Sequence, residues 1–148
     1  MSQIYSENKK GAFDYNILEK FEAGIVLFGQ EVKSIKTGHI NLSGSYVAVN
    51  QGEVWLTGVK VPPYQPNNMG ADYNQERKRK LLLNKKEVLY LVVKSAQKGF
   101  SLIPLKIYGK NGRIKLEFGL AKGKKKYDKK EKIKKRDTQR EINREISG

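Results

Sequence analysis

Four consecutive basic residues, Arg77, Lys78, Arg79 and Lys80, follow Glu76 and run directly into Leu81, Leu82 and Leu83. Cations clustered on a short element can neutralise several phosphates, and the leucines supply an apolar anchor that fixes where the charges point. A solvated charge run beside a core-facing leucine patch is the other reading of the same residues. Arg113 and Lys115 alternate with Ile114, Leu116, Phe118 and Leu120, which puts them on the solvent face of a strand where they extend a basic surface. Glu22, an acid just before Ala23-Gly24 in a basic chain, suits either a hydrogen bond from a base edge or ribose hydroxyl, or a surface ion pair.

A second concentration of charge lies at the C-terminal end. Residues 121–148 hold twelve Lys/Arg against five Asp/Glu, a net +7 of the chain's +15, and few large apolar residues beyond Tyr127, Ile133, Ile142 and Ile146. So little apolar surface cannot offset the cost of ordering the backbone, and the segment is expected to be disordered when free. As a helix it would repeat Lys132, Arg136, Arg140 and Arg144 every four residues, a basic stripe suited to a groove of RNA. Folding would then accompany binding; a permanently disordered tail giving only non-specific attraction is the alternative.

The elements that must position these groups are mostly strands. The alternation over 113–120 predicts a half-buried strand, and Asn111-Gly112 predicts the tight turn joining it to the apolar run 100–108. A second hairpin is expected over 46–49 and 53–59, across Asn50-Gln51-Gly52. The stretch 17–28 reads as a further strand, with a bulge or bend at Ala23-Gly24. Asn84, with Glu87 three residues on, opens a helix carrying Val88, Leu89, Leu91, Val92 and Ala96 and stopped by Gly99. A shorter helical turn is expected at 32–36, closed by Gly38, and an exposed Pro/Asn-rich loop at 64–74. Five or six short antiparallel strands with two or three short helices predict a mainly β fold, a small barrel of oligonucleotide-binding (OB) type, because closure removes exposed sheet edges. The expected division is a body over 1–120 and a basic tail over 121–148.

Composition narrows the function classes. A pI near 9.9 points to a polyanionic partner. No apolar run approaches the roughly 20 residues that span a membrane, and residues 1–11 lack a signal-like core, so a cytoplasmic protein without a membrane partner is expected. The chain has no cysteine and a single histidine, His39, so no metal site is expected. No nucleophile–base pair and no phosphate-binding glycine loop is legible, so neither catalytic residues nor a cofactor are expected. Three classes remain: an adaptor for a structured RNA, a structural ribosomal or other rRNA-binding protein of OB-like fold, and, least supported, an RNA-modifying enzyme.

Beyond these features the chain resembles the SmpB family, the tmRNA-binding proteins of trans-translation. The resemblance lies in Asn8-Lys9-Lys10, Phe21-Glu22-Ala23-Gly24-Ile25-Val26-Leu27, Gly29-Gln30-Glu31-Val32-Lys33-Ser34-Ile35, Arg79-Lys80-Leu81-Leu82-Leu83, Ile103-Pro104-Leu105-Lys106 and the run from Gly119 through Lys130, all in the family's order. It implies an OB-like barrel whose body grips the tRNA-like domain of tmRNA through Glu22, Leu82 and Lys115, with Asn8 and Asn84 beside them. It implies further that Lys122, Gly123, Lys124, Lys125, Tyr127, Asp128, Lys129 and Lys130, with Arg136 and Arg140 beyond, meet the small-subunit decoding centre and empty mRNA channel of a stalled ribosome. Elongation factor Tu is implied as a further partner of charged tmRNA. Three positions depart from the family pattern: Phe13 stands where many relatives have histidine, Asp72-Tyr73 replaces a more usual Asp-Pro, and Gly109 replaces a bulkier residue.

Overall fold

In a computed structural model of the chain, residues 3–64 and 73–123 are described. The elements run β1 (Gln3–Glu7), α1 (Lys9–Asp14), β2 (Tyr15–Ile25), α2 (Gly29–Lys36), β3 (Tyr46–Asn50), β4 (Glu53–Thr57), β5 (Arg79–Leu82), α3 (Lys85–Ser95), β6 (Phe100–Lys110) and β7 (Arg113–Gly123). The strands pair antiparallel in the order β1-β6-β3-β4-β5-β2-β7, and β7 returns to pair with β6. That closes a six-stranded barrel with β1 added outside on β6. The mainly β, barrel-like architecture is as expected; among the described residues there are three short helices and seven strands rather than five or six, and β2, β6 and β7 are eleven residues long.

Both hairpins turn where expected. Asn111 and Gly112 have φ of 53° and 75°, and Gln51 and Gly52 have 52° and 75°, the paired positive values that match a two-residue turn to the twist of its strands. The core is built by alternation: on β7 Leu116 and Phe118 are fully buried and Ile114 and Leu120 nearly so, while Arg113 is exposed and Lys115 and Glu117 are half-buried. Phe118 stacks on Phe21 of β2 at 5.5 Å between centroids.

Some expectations are corrected. The irregularity in β2 lies between Ile17 and Glu19, not at Ala23-Gly24; Gly24 stays in regular pairing, opposite Lys115 of β7 and Leu82 of β5. The helix expected after Asn84 forms as α3, with Leu91 fully buried and Leu89 and Val93 exposed, because a single short helix lies across one flank of the barrel and covers it with one side. The body also extends past 120. Ala121 is buried and β7 continues through Lys122 and Gly123, paired with Asn16 and Tyr15, because β2 supplies backbone partners that far. Elements β1 and α1 have no clear sequence signature, being short and nearly free of alternation.

Two family departures have a local explanation. The Tyr73 hydroxyl lies 2.9 Å from Glu31 Oε2 and 2.8 Å from the Val61 carbonyl oxygen and shares its one proton between them, ties that a proline there does not offer. At Gly109 a Cβ would stand 3.0 Å from the Tyr5 hydroxyl, so the missing side chain leaves room for the Tyr5 ring of β1.

Candidate nucleic-acid interface

Gly24 marks the place where β2 lies between β5 and β7, with Leu82 opposite on one side and Lys115 on the other. A cleft of about 370 Å³ opens there, lined by Gly24, Ile25, Leu27, Leu82, Arg113 and Lys115 among others. A Cβ on residue 24 would meet Leu82 Cβ at 3.4 Å and Lys115 Nζ at 3.8 Å, so glycine holds open the space between them. Leu82 is 55% exposed, because the pleat of β5 turns Leu81 inward and Leu82 outward. The result is an apolar floor with a cationic rim, which fits an RNA backbone turning past an unstacked base or ribose.

Glu22 lies two residues before Gly24, on the same face of β2. Its carboxylate accepts from the Tyr108 hydroxyl and, at 3.4 Å, from Lys110 Nζ. The Tyr108 hydrogen bond, opposed by partial burial and reinforced by Lys110 and Lys115, holds the Glu22 carboxyl below the usual carboxylate range. Burial and the Glu22 charge push the Tyr108 hydroxyl up, so it remains a donor. Of the two readings of Glu22, the structure shows an ion pair, with Lys110. Among the described residues Lys115 has no ion-pair partner in contact, which leaves its ammonium available at the rim.

The basic cluster divides. Lys78 is exposed, and Lys80 stands on the outer face of β5 with Leu82, 3.3 Å from Glu53. Arg79 is only 1% exposed, which corrects its reading as a phosphate ligand. Its Nε and Nη2 donate to Glu31 Oε2 at 3.0 and 2.6 Å, and its remaining donors meet the carbonyls of Val59, Arg77 and Gln75. Arg77 pairs with the other oxygen of the same carboxylate and keeps 22% of its side chain exposed. Glu31, wholly buried, also accepts the Phe28 N–H at 2.8 Å at the start of α2. Burial raises the Glu31 carboxyl, but the hydrogen bonds from Arg77, Phe28 and Arg79 and the Arg79 charge outweigh it and hold the group below its ordinary value.

Asn8 is likewise structural. It is 5% exposed, its amide donates to the Pro104 carbonyl at 2.9 Å, and its oxygen accepts from Gly11 N–H at 3.0 Å, so it clamps the bulge of β6 and caps α1 rather than facing a ligand. Asn84 caps α3 by accepting from Glu87 N–H at 2.8 Å and is exposed two residues beyond Leu82. Lys122 and Gly123 end β7, seven residues from Lys115, or about 23 Å along the strand. The remaining tail positions, Lys124, Lys125, Tyr127, Asp128, Lys129, Lys130, Arg136 and Arg140, lie outside the described residues.

The fold thus brings Leu82 and Lys115 to one cleft, leaves Glu22 beside it two residues before Gly24 on β2, and removes Asn8 and Arg79 from it. Sequence reasoning missed Tyr108 and Lys110, although a signal existed: the Asn111-Gly112 turn fixes the hairpin register and puts Tyr108 opposite Lys115.

Comparison with known proteins points the same way. A family model described as SmpB protein matches residues 5–148. An SsrA-binding protein of Carboxydothermus hydrogenoformans is 47% identical over 146 residues, covering 99% of this chain and 97% of that protein. One from Syntrophobacter fumaroxidans is 49% identical over 146 residues, covering 97% and 88%. A solved chain described under "tmRNA-SmpB: a journey to the center of the bacterial ribosome" is 43% identical with a TM-score of 0.66, covering 86% of this chain and 92% of that one.

Proposed function

Because the chain belongs to the SmpB family, we propose that its barrel grips tmRNA at the cleft between β2, β5 and β7 and carries it to stalled ribosomes for trans-translation. The observation that carries this reading is the convergence of Leu82 and Lys115, distant in sequence, on Gly24, with Glu22 two residues away on the same strand. Leu82 offers apolar contact to an unstacked base or sugar, Lys115 and Arg113 offer charge to the backbone, and Glu22 orders the rim through Tyr108 and Lys110. Lys78 just before β5, Lys80 on it and Asn84 at the start of α3 stand within four positions of Leu82 in the chain and are proposed to extend the contact. The tail continues from Gly123 at the far end of β7. It is proposed to enter the small-subunit decoding centre and the empty mRNA channel while the cleft holds tmRNA, the two functions separated along one strand. Elongation factor Tu is proposed to join through charged tmRNA. The protein acts in this scheme by binding and not by catalysis, and in the cytoplasm. Among the described residues no helix is long and apolar enough to cross a membrane.

The test is fluorescence anisotropy of the full chain with the tRNA-like domain of tmRNA and, as a competitor, an elongator tRNA. A clear preference for the tmRNA domain, lost in Lys115→Ala and Leu82→Ala variants that melt like the parent, is the expected result. Equal, salt-sensitive binding to both RNAs, unaffected by either substitution, would leave only a generic basic surface.

A further inference from the structure

Phe28 occupies the N-cap of α2, a place where a short polar side chain ordinarily accepts a hydrogen bond from the first turn. It makes no such bond, and 51% of its surface lies in solvent. The ring is nevertheless held in place. The Arg77 guanidinium sits 4.1 Å over its centroid, and Tyr73 approaches edge-on at 6.3 Å. Arg77 is itself fixed by Glu31, through Nε at 3.2 Å and through Nη2, and it donates to the Val26 carbonyl at 3.3 Å. Arg77 covers one face, Tyr73 packs against the ring in T-shaped geometry, and about half of the residue's surface is left to solvent. A large aromatic ring at an N-cap, with only part of its surface used in packing and about half left in water, is a locally unfavourable choice.

We propose that Phe28 is a stacking platform for one unstacked base of a bound RNA, with the exposed Lys78 facing a neighbouring phosphate. Every base has a π-face, so an open aromatic ring accepts it, and a ring already immobilised loses little freedom on binding. Charge selects the partner: Arg77 lies over the ring and the exposed Lys78 follows it directly in the chain, which favours a polyanion carrying aromatic groups over an apolar protein segment. The platform adjoins the cleft, since Leu27 lines the cleft and Val26 N–H bonds the Lys80 carbonyl at 2.9 Å. Four residues separate Gly24 from Phe28, a reach of at most about 14 Å, so a single RNA strand can touch both. The inference rests on the RNA-binding reading above and adds to it the class of group recognised.

The test uses the full chain and the tRNA-like domain of tmRNA, with Phe28→Ala, Phe28→Trp and Lys115→Ala compared with the parent. Phe28→Ala should weaken binding roughly five- to a hundredfold, the span of one base–aromatic stack. Phe28→Trp should restore it, with melting temperature and salt dependence unchanged because no charge is removed. With 2-aminopurine placed in turn at the unpaired positions of the RNA, one position should be quenched by the parent and recover with Phe28→Ala. Phe28→Ala affinity within twofold of the parent while Lys115→Ala binds weakly would overturn the platform and leave the cleft standing. Unchanged binding in both variants would overturn the platform and remove the cleft as the contact as well. Equal losses in Phe28→Ala and Phe28→Trp, with lowered melting, would make Phe28 a structural residue and overturn the proposal.

Discussion

Replacing Glu31 with alanine leaves Arg79 as a buried cation whose other hydrogen bonds run only to the carbonyls of Val59, Arg77 and Gln75. Those carbonyls satisfy donors but do not neutralise charge. Arg77, with 22% of its side chain exposed, can turn to water, whereas Arg79 at 1% cannot, so the cost falls on Arg79. Removing one partner of a buried ion pair costs about 3–5 kcal/mol, a large part of the roughly 5–15 kcal/mol that holds a domain together. For a chain of this size that is a fall in melting temperature of about 6–20 °C. Urea unfolding at pH 7, followed through Trp55 on β4, should show a lower midpoint with an unchanged slope. The double variant Glu31→Leu/Arg79→Met should recover much of the loss, because the orphaned charge goes with its partner. Acid gives a second reading. Since the folded Glu31 carboxyl lies below its ordinary value, its contribution is present above the unfolded carboxylate value and is lost as pH falls through the folded one. The parent should therefore lose stability below about pH 4.3 more steeply than Glu31→Ala. A loss under about 1 kcal/mol for Glu31→Ala, or a double variant no more stable than the single one, would refute the reasoning.

Gly24→Val should fill the space between Leu82 and Lys115, weakening tmRNA-domain binding at least tenfold, about 1.4 kcal/mol, with little change in melting; equal affinity would show that the cleft is not the contact. Tyr108→Phe removes the hydroxyl that orders Glu22, costing about 1 kcal/mol of stability; in titrations of RNA affinity its effect should shrink in a Glu22→Gln background, and full additivity would separate the two residues. Ending the chain after Gly123 should spare tmRNA-domain binding yet abolish tagging on stalled ribosomes in a reconstituted translation assay, and a truncated protein that still supports tagging would remove the tail from the decoding step. Affinity should fall roughly a thousandfold between about 50 and 200 mM salt if some six phosphates are neutralised, and a flat response would contradict the electrostatic argument.

Local chemistry was enough for much of this molecule. The net +15 named a polyanionic partner, the Asn111-Gly112 turn and the alternation over 113–120 defined the hairpin, and Asn84 marked the start of α3, since each depends on residues adjacent in the chain. The segments that resemble the SmpB family were legible for the same reason, and they carried Glu22, Leu82 and Lys115. Tertiary structure decided what those residues do. That Gly24 lies between Leu82 and Lys115 depends on β2 pairing with strands far away in sequence, and that Arg79 is a core residue depends on Glu31, 48 positions earlier, arriving beneath it. The pattern of β5 held a hint, because an inward Leu81 makes Arg79 inward too. A lone arginine offered no reason to bury itself until its counter-charge was in place. Composition can announce a charge; whether it meets RNA or another side chain is settled by which strands close the barrel.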